Sequence, residues 1–301
     1  LTSVVSHKGD VRDDLFQFEL SLKIQNGKFS TPDKTKSMER VEKEDQEIEF
    51  LYRHVENYAT GHGISVTWKQ NPQGLVDEVL SQSVPTFHQE MVSTDIGGLN
   101  LKMLSLHADP SEKLRSNLQD LVSGYSTWIE NEISEFSTLP EHQKTIAEGL
   151  ALKNQFIASR MQRGVDLLFA PGNELVLEAF RLTNKAMHLQ QKHGKIPRRL
   201  FQDRKGEKVV FEEKRYPNED EYGSWRPFQI GFLLMVIPGL VDPNDDDREL
   251  VDLIFFPTGG GKTEAYLGAA AMIILHRRLV APSHSGAVSY THLTLPTILR
   301  V

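Results

Sequence analysis

The 301-residue chain contains no cysteine, which removes a disulfide framework and any zinc site built on thiolates. That absence favours an intracellular setting. Neither sign of charge dominates: 34 Lys and Arg against 41 Asp and Glu leave a formal net charge of −7. Such a balance argues against a protein that coats nucleic acid over its whole surface, but it allows a local basic groove on an acidic body. The most apolar stretch, IGFLLMVIPGLV at 230–241, is broken by Pro238 and falls short of the roughly 20 residues that cross a bilayer. No secretory signal, internal repeat or low-complexity tract is visible, and a cytoplasmic protein is expected. The chain opens on Leu1 rather than Met, so its natural start is expected upstream. What is present, 39% hydrophobic and 25% charged residues, suits a globular chain with room for more than one domain.

Residues 1–108 read as an α+β accessory domain. LFQFELSLKI (15–24) alternates strictly, with Phe16, Phe18, Leu20, Leu22 and Ile24 on one face of a predicted strand. Asn26–Gly27 supplies turn chemistry and a charged connector follows. EIEFLYRHVENYA predicts a short helix and ISVTW (64–68) a second strand. From Pro110 the period becomes helical, and 109–194 reads as a helical region. Leu114, Leu118, Leu121 and Val122 share a face, with Ser111 as candidate cap. A second helix opens at Pro140 and carries Ile146, Leu150, Ile157, Met161, Val165 and Leu168. A third runs from Glu174 to about His193, capped by Asn173 and ended by Gly194. Residues 195–223 read as a charged linker with one hairpin arm near KVVFEE.

Chemistry enters at FFPTGGGKTEAYLG (255–268). The apolar run ELVDLIFF (249–256) predicts a buried parallel strand, and EAYLGAAAMIILHRRL predicts a helix. Strand, glycine loop and helix form the context of a phosphate-binding loop. In that arrangement Thr258, Gly259, Gly260 and Gly261 would let backbone N–H groups cradle phosphate oxygens, helped by the positive end of the helix. Lys262 would pair with the β- and γ-phosphates, and the Thr263 hydroxyl would hold Mg²⁺. Phe256 stands where the general spacing wants glycine. Upstream, WRPFQ (225–229) offers Gln229, whose amide carries the donor and acceptor that adenine recognition needs, and Arg226, which would stack on the base. Taken alone, that segment reads better as a helix start with buried Trp225 and Phe228; beside the phosphate loop, at this distance, it reads as adenine recognition.

WRPFQIGFLLM and VDLIFFPTGGGKTEAYLGAAAMIILHRRL resemble the helicase subunit of DISARM-type anti-phage defence systems. The relaxed first glycine and the Arg226–Gln229 spacing are similar to those of superfamily 2 helicases. SRMQRGVDLLF, EAFRLTNKAMHLQQ and YRHVENYATGHGISVTW extend the resemblance over most of 50–280, and 225–279 is its most specific part. The resemblance implies a multi-domain α/β protein in which the accessory and helical regions precede the start of a RecA-like P-loop NTPase domain at 224–288. It also implies ATP and Mg²⁺ as cofactors, DNA as substrate, and partner subunits including a DNA methyltransferase. No D-E-x-[HD]-like motif follows Thr263, so the chain as it stands is expected to lack appreciable ATP turnover. The tail SYTHLTLPTILRV (289–301) alternates like a strand, but it resembles a translated sequencing-adaptor tail and is read as non-native, with the native sequence ending near 281–288.

The remaining signals are blander. The 11 histidines form no metal-ligand pattern, PNDDDRE (243–249) reads as an acidic turn, and Glu264 suits the dipole of its helix. KIPRRLFQDRKGEK (195–208) would meet a DNA backbone or simply be solvated. Two functions compete with the helicase reading: a P-loop regulatory ATPase without strand separation, and a nucleotide-dependent interaction module.

Overall fold

The computed structural model describes residues 19–31, 42–60, 63–82, 96–195, 201–203, 210–211, 218, 222–254 and 261–281. The chain forms two compact units, one drawn from 1–90 with 140–147 and the other from 91–139 with 148–301.

The first unit holds β1 (Ser21–Lys23), α1 (Lys43–Leu51), β2 (Ser65–Gln70) and β3 (Val76–Gln82). Its antiparallel sheet has the order β1-β3-β2. Asn71 shapes the β2–β3 turn, its side-chain oxygen accepting from the N–H groups of Gln73 and Leu75, both at 3.0 Å. Lys69 faces Glu78 whereas Gln70 faces Val76, so β3 carries an extra residue there. That bulge explains why Val76 and Val79 are both buried although three apart. The strand expected at ISVTW is present as β2, and α1 starts earlier than expected and stops at Leu51. Phe16 and Phe18 lie outside the described residues. Leu20 and Leu22 are 55% and 54% exposed, so the alternating apolar face of β1 is not covered by the described residues.

The second unit contains α2 (Met103–Ala108), α3 (Ser111–Ser134), α4 (Glu141–Phe169, most of it), α5 (Glu174–Lys195), α6 (Pro227–Val241) and α7 (Lys262–Val280). A two-stranded antiparallel pair, β4 (Phe201–Asp203) with β5 (Val210–Phe211), answers to the expected hairpin arm. The helices at 109–194 follow the apolar periodicity, with Leu114, Leu118, Val165 and Leu168 almost wholly buried. Their ends differ from expectation. Ser111 is the first residue of α3, preceded by Pro110, and its hydroxyl accepts from Arg181 instead of capping. The Asn173 side chain donates to the Leu167 carbonyl, closing α4, while its backbone oxygen receives Val176 and Leu177.

The sequence pattern assigns 96–108 to the accessory domain, yet Leu101, Met103 and Leu106 belong to the core of the helical unit. Two backbone bonds account for this, Met103 N–H to the Gly223 carbonyl at 2.7 Å and Trp225 N–H to the Leu101 carbonyl at 3.0 Å. They make 101–103 an antiparallel partner of 223–225, and α2 packs on α5.

Helix α6 is apolar on nearly every side, which requires burial all round. Ile230, Leu233, Leu234 and Ile237 are each 0% exposed. Pro227 sits in its first turn, where the missing N–H costs nothing, and Pro238 lies inside it. Helix α4 crosses it at Gly164, where an added Cβ would overlap the Leu234 carbonyl. No helix among the described residues is long and apolar enough to cross a membrane.

Candidate functional site

The WRPFQ segment is built into the core before it reaches any ligand. Trp225 is 2% exposed, and its indole N–H donates to the Asn184 side-chain oxygen at 2.7 Å. Asn184 in turn donates to the Phe180 carbonyl one turn back on α5. Across the ring lies Gly268 of α7, where a Cβ would come within 2.8 Å of the indole Cη2. One tryptophan thus fixes α5, α7 and the start of α6 against one another, with its polar atom satisfied.

Arg226 caps α6 and Gln229 occupies its third position. The Gln229 side-chain oxygen accepts from the Arg226 backbone N–H at 2.8 Å, the reciprocal half of a capping box. Its Nε2 donates to the Gly261 carbonyl at 2.7 Å. The amide is 3% exposed and keeps one N–H and one lone pair beyond those two bonds. Of the two sequence readings of this segment, the helix start with a buried Trp225 is present, with Phe228 half-buried, and Gln229 also reaches the glycine loop at Gly261.

Gly261 makes that contact possible. Its φ of +83° lies in the left-handed region, which a side chain disfavours. A Cβ there would stand 2.6 Å from Gln229 Nε2, with Glu264 and the Arg226 stem close by. Lys262, Thr263 and Glu264 form the first turn of α7, whose leading N–H groups have no intrahelical acceptor. Thr263 is exposed and Lys262 half-buried. The donor set suits a polyphosphate with a bound Mg²⁺: a left-handed glycine, a helix N-terminus, a lysine and a hydroxyl. Thr258, Gly259 and Gly260 lie outside the described residues. Of the expected site, the structure brings together Arg226, Gln229, Gly261, Lys262 and Thr263.

The run before the loop departs from expectation. Residues 250–254 form no strand, and Val251 and Leu253 are 96% and 85% exposed. A buried parallel strand needs neighbours on both edges and both faces, and no described strand lies beside this one. Asp252 holds the segment instead. Arg160 of α4, 4% exposed, grips the Asp252 carboxylate with both terminal nitrogens at 2.6 and 2.8 Å. Its Nε donates to Asp247 at 2.9 Å. Arg163 reaches the same Asp247 oxygen at 2.8 Å and also bonds Asp245. The hydrogen bonds it donates to Asp252, opposed by burial and aided by Asp247, raise the Arg160 guanidinium above its ordinary value. Removing one partner of such a buried group costs about 3–5 kcal/mol. The acidic turn expected at 243–249 is thus an anchor as well. Sequence reasoning missed it, although Arg160 and Arg163, placed three apart on a helix otherwise patterned for burial, were the available signal.

No protein-family model matches the chain. A search of characterised proteins finds the DISARM protein DrmA of Bacillus paralicheniformis, 33% identical over 285 residues. The alignment takes in 90% of this chain and 24% of the relative. The chain is therefore homologous to a DISARM protein along nearly its whole length, and it spans about a quarter of that protein's length.

Proposed function

We propose that this chain binds ATP with Mg²⁺ at the loop preceding α7 and is part of an ATP-dependent DNA helicase or translocase of superfamily 2 that works in a DISARM anti-phage system. The observation that carries this reading is the 2.7 Å bond from Gln229 to the Gly261 carbonyl. It couples the segment proposed for base recognition directly to the loop proposed for phosphate. In such a site Gln229 would use its remaining donor and acceptor on adenine, and Arg226 would lie along the base. The first-turn N–H groups of α7 and Lys262 would orient and neutralise the phosphates, and Thr263 would hold the metal. Bound ATP would supply the phosphoryl-transfer energy, released in the longer protein by an acidic pair and arginines belonging to motifs that do not follow Thr263 here. Homology to a DISARM protein supports the defence role and a multi-subunit setting; action in the cytoplasm on DNA, beside a methyltransferase, is part of the proposal. The fold from 224 onward would then be the helical start of a RecA-like domain whose sheet is formed by strands outside the described residues.

Equilibrium binding of a fluorescent ATP analogue with Mg²⁺ tests the reading. The native chain should bind, and Lys262→Ala should weaken binding by roughly 1.5–3 kcal/mol, the worth of a charge-assisted contact, about tenfold or more. Equal affinity for both proteins would refute nucleotide binding at this loop. Binding without DNA-stimulated turnover in a chain of the relative's full length would favour a regulatory nucleotide module instead.

A further inference from the structure

We propose that Arg160 is a positioning residue for the nucleotide site, acting through Asp252 to hold the segment that leads into the phosphate loop; this rests on the nucleotide reading above. The two flanks of residues 255–260 are anchored on different helices. On the downstream side Gly261 is bonded to Gln229 of α6. On the upstream side Asp252 is held by the two-pronged grip of Arg160 on α4. Those two helices meet at Gly164 against Leu234, close enough that a Cβ would not fit. Gly164 lies one turn beyond Arg160, so the crossing and the ion pair share a face of α4. The frame therefore fixes one flank of the loop relative to the other without any sheet hydrogen bond.

Charge makes the device specific. Arg160 and Arg163 face three carboxylates, Asp245, Asp247 and Asp252, so the cluster is close to neutral only while both arginines are present. Without Arg160 the Asp247 and Asp252 carboxylates lose their common partner and repel. Asp252 is the one member of the acidic set outside the 245–247 turn, and nothing else in the described residues ties 251–254 down by an ion pair. Arginine is suited to this because its planar fork fixes direction as well as distance.

Two variants separate positioning from stability. Arg160→Met alone leaves Asp252 without its ion-pair partner and would lower the melting temperature. Arg160→Met with Asp252→Asn removes the repulsion, and replacing a buried ion pair by neutral groups is often neutral for stability. We expect the double variant to melt close to the native protein but to bind the fluorescent ATP analogue at least about tenfold more weakly, as lost positioning groups commonly cause. Recovery of affinity together with melting temperature would overturn the inference. The chain has no native cysteine, so spin labels at Val251→Cys and Leu189→Cys, both exposed, report the segment directly. Electron–electron distance distributions should be narrow with Arg160 and Asp252 present and broad in the double variant. An unchanged distribution overturns the inference whether or not nucleotide binds. Failure of the native chain to bind nucleotide, with the broadening intact, would instead overturn the nucleotide reading and leave Arg160 as an anchor of this segment only.

Discussion

Gly261→Ala tests the geometry of the candidate site in one atom. At φ +83° an alanine carries about 1–2 kcal/mol of left-handed strain. Its Cβ would also stand 2.6 Å from Gln229 Nε2, and overpacking of this kind costs about 1–3 kcal/mol. The flexible end of the glutamine can retreat, but only by giving up the Gly261 carbonyl. The single variant should therefore lose roughly 2–5 kcal/mol. Gln229→Ala alone leaves the Gly261 carbonyl and the Arg226 N–H without their partner, for about 1–3 kcal/mol. Combined, the two changes should cost less than their sum, because without Gln229 the clash disappears and only the strain remains. The expected coupling is about 1–3 kcal/mol, read from urea melts followed by circular dichroism. Additivity within about 0.5 kcal/mol would show that Gln229 does not rest on Gly261, and the bond that carries the functional reading would go with it.

Three further outcomes follow from the same contacts. Gly268→Ala should gain about 1 kcal/mol of helix propensity and lose about 1–3 kcal/mol against Trp225; in a Trp225→Phe background the change should become stabilising, and a gain in the native background would refute the packing. Stability should rise with pH around His276. Its imidazole is held below the ordinary value of 6.5 by burial first and by Arg277 second, so the fold favours the neutral ring. That contribution is complete above 6.5 and is lost as pH falls through the folded-state value; His276→Gln should flatten the stability profile below 6.5, and an unaltered profile would count against it. Asn184→Ala should strand the buried Trp225 indole N–H at about 1–3 kcal/mol, seen as a lower urea midpoint; a cost near zero would mean that the indole is satisfied elsewhere.

The helices of 109–194 were legible because a single periodic stripe dictates each of them. Leu114, Leu118, Val165 and Leu168 needed no knowledge of their neighbours to be placed inside. The start of α7 was legible too, since Gly261 followed by Lys262 and Thr263 specifies a turn and a helix together. Other features depended on partners the sequence does not name. A largely apolar run such as ELVDLIFF predicts burial only where a sheet exists to receive it, and in 250–254 Asp252 rather than Val251 turned out to hold the chain. The alternation of Leu20 and Leu22 met the same limit in β1. Trp225 was recognised as a core residue, but its lock on Asn184 and Gly268 joins positions brought together by packing alone. The Arg160 cluster is similar: an arginine on a helix announces a charge and not which of several aspartates will take it.

The close crossing of α4 and α6 has a cause in the backbone of α6 itself. Pro238 has no N–H, so the carbonyl four residues earlier, that of Leu234, loses its usual helical donor. It is this oxygen that Gly164 meets. A buried acceptor deprived of its partner calls for another, and the Cα–H groups of a bare backbone are weak donors able to serve when nothing keeps them away. The proline turns an acceptor sideways out of one helix, and the glycine presents a surface flat enough to receive it. The two residues thus form a single interhelical joint, and related chains are expected to keep both or to exchange both together.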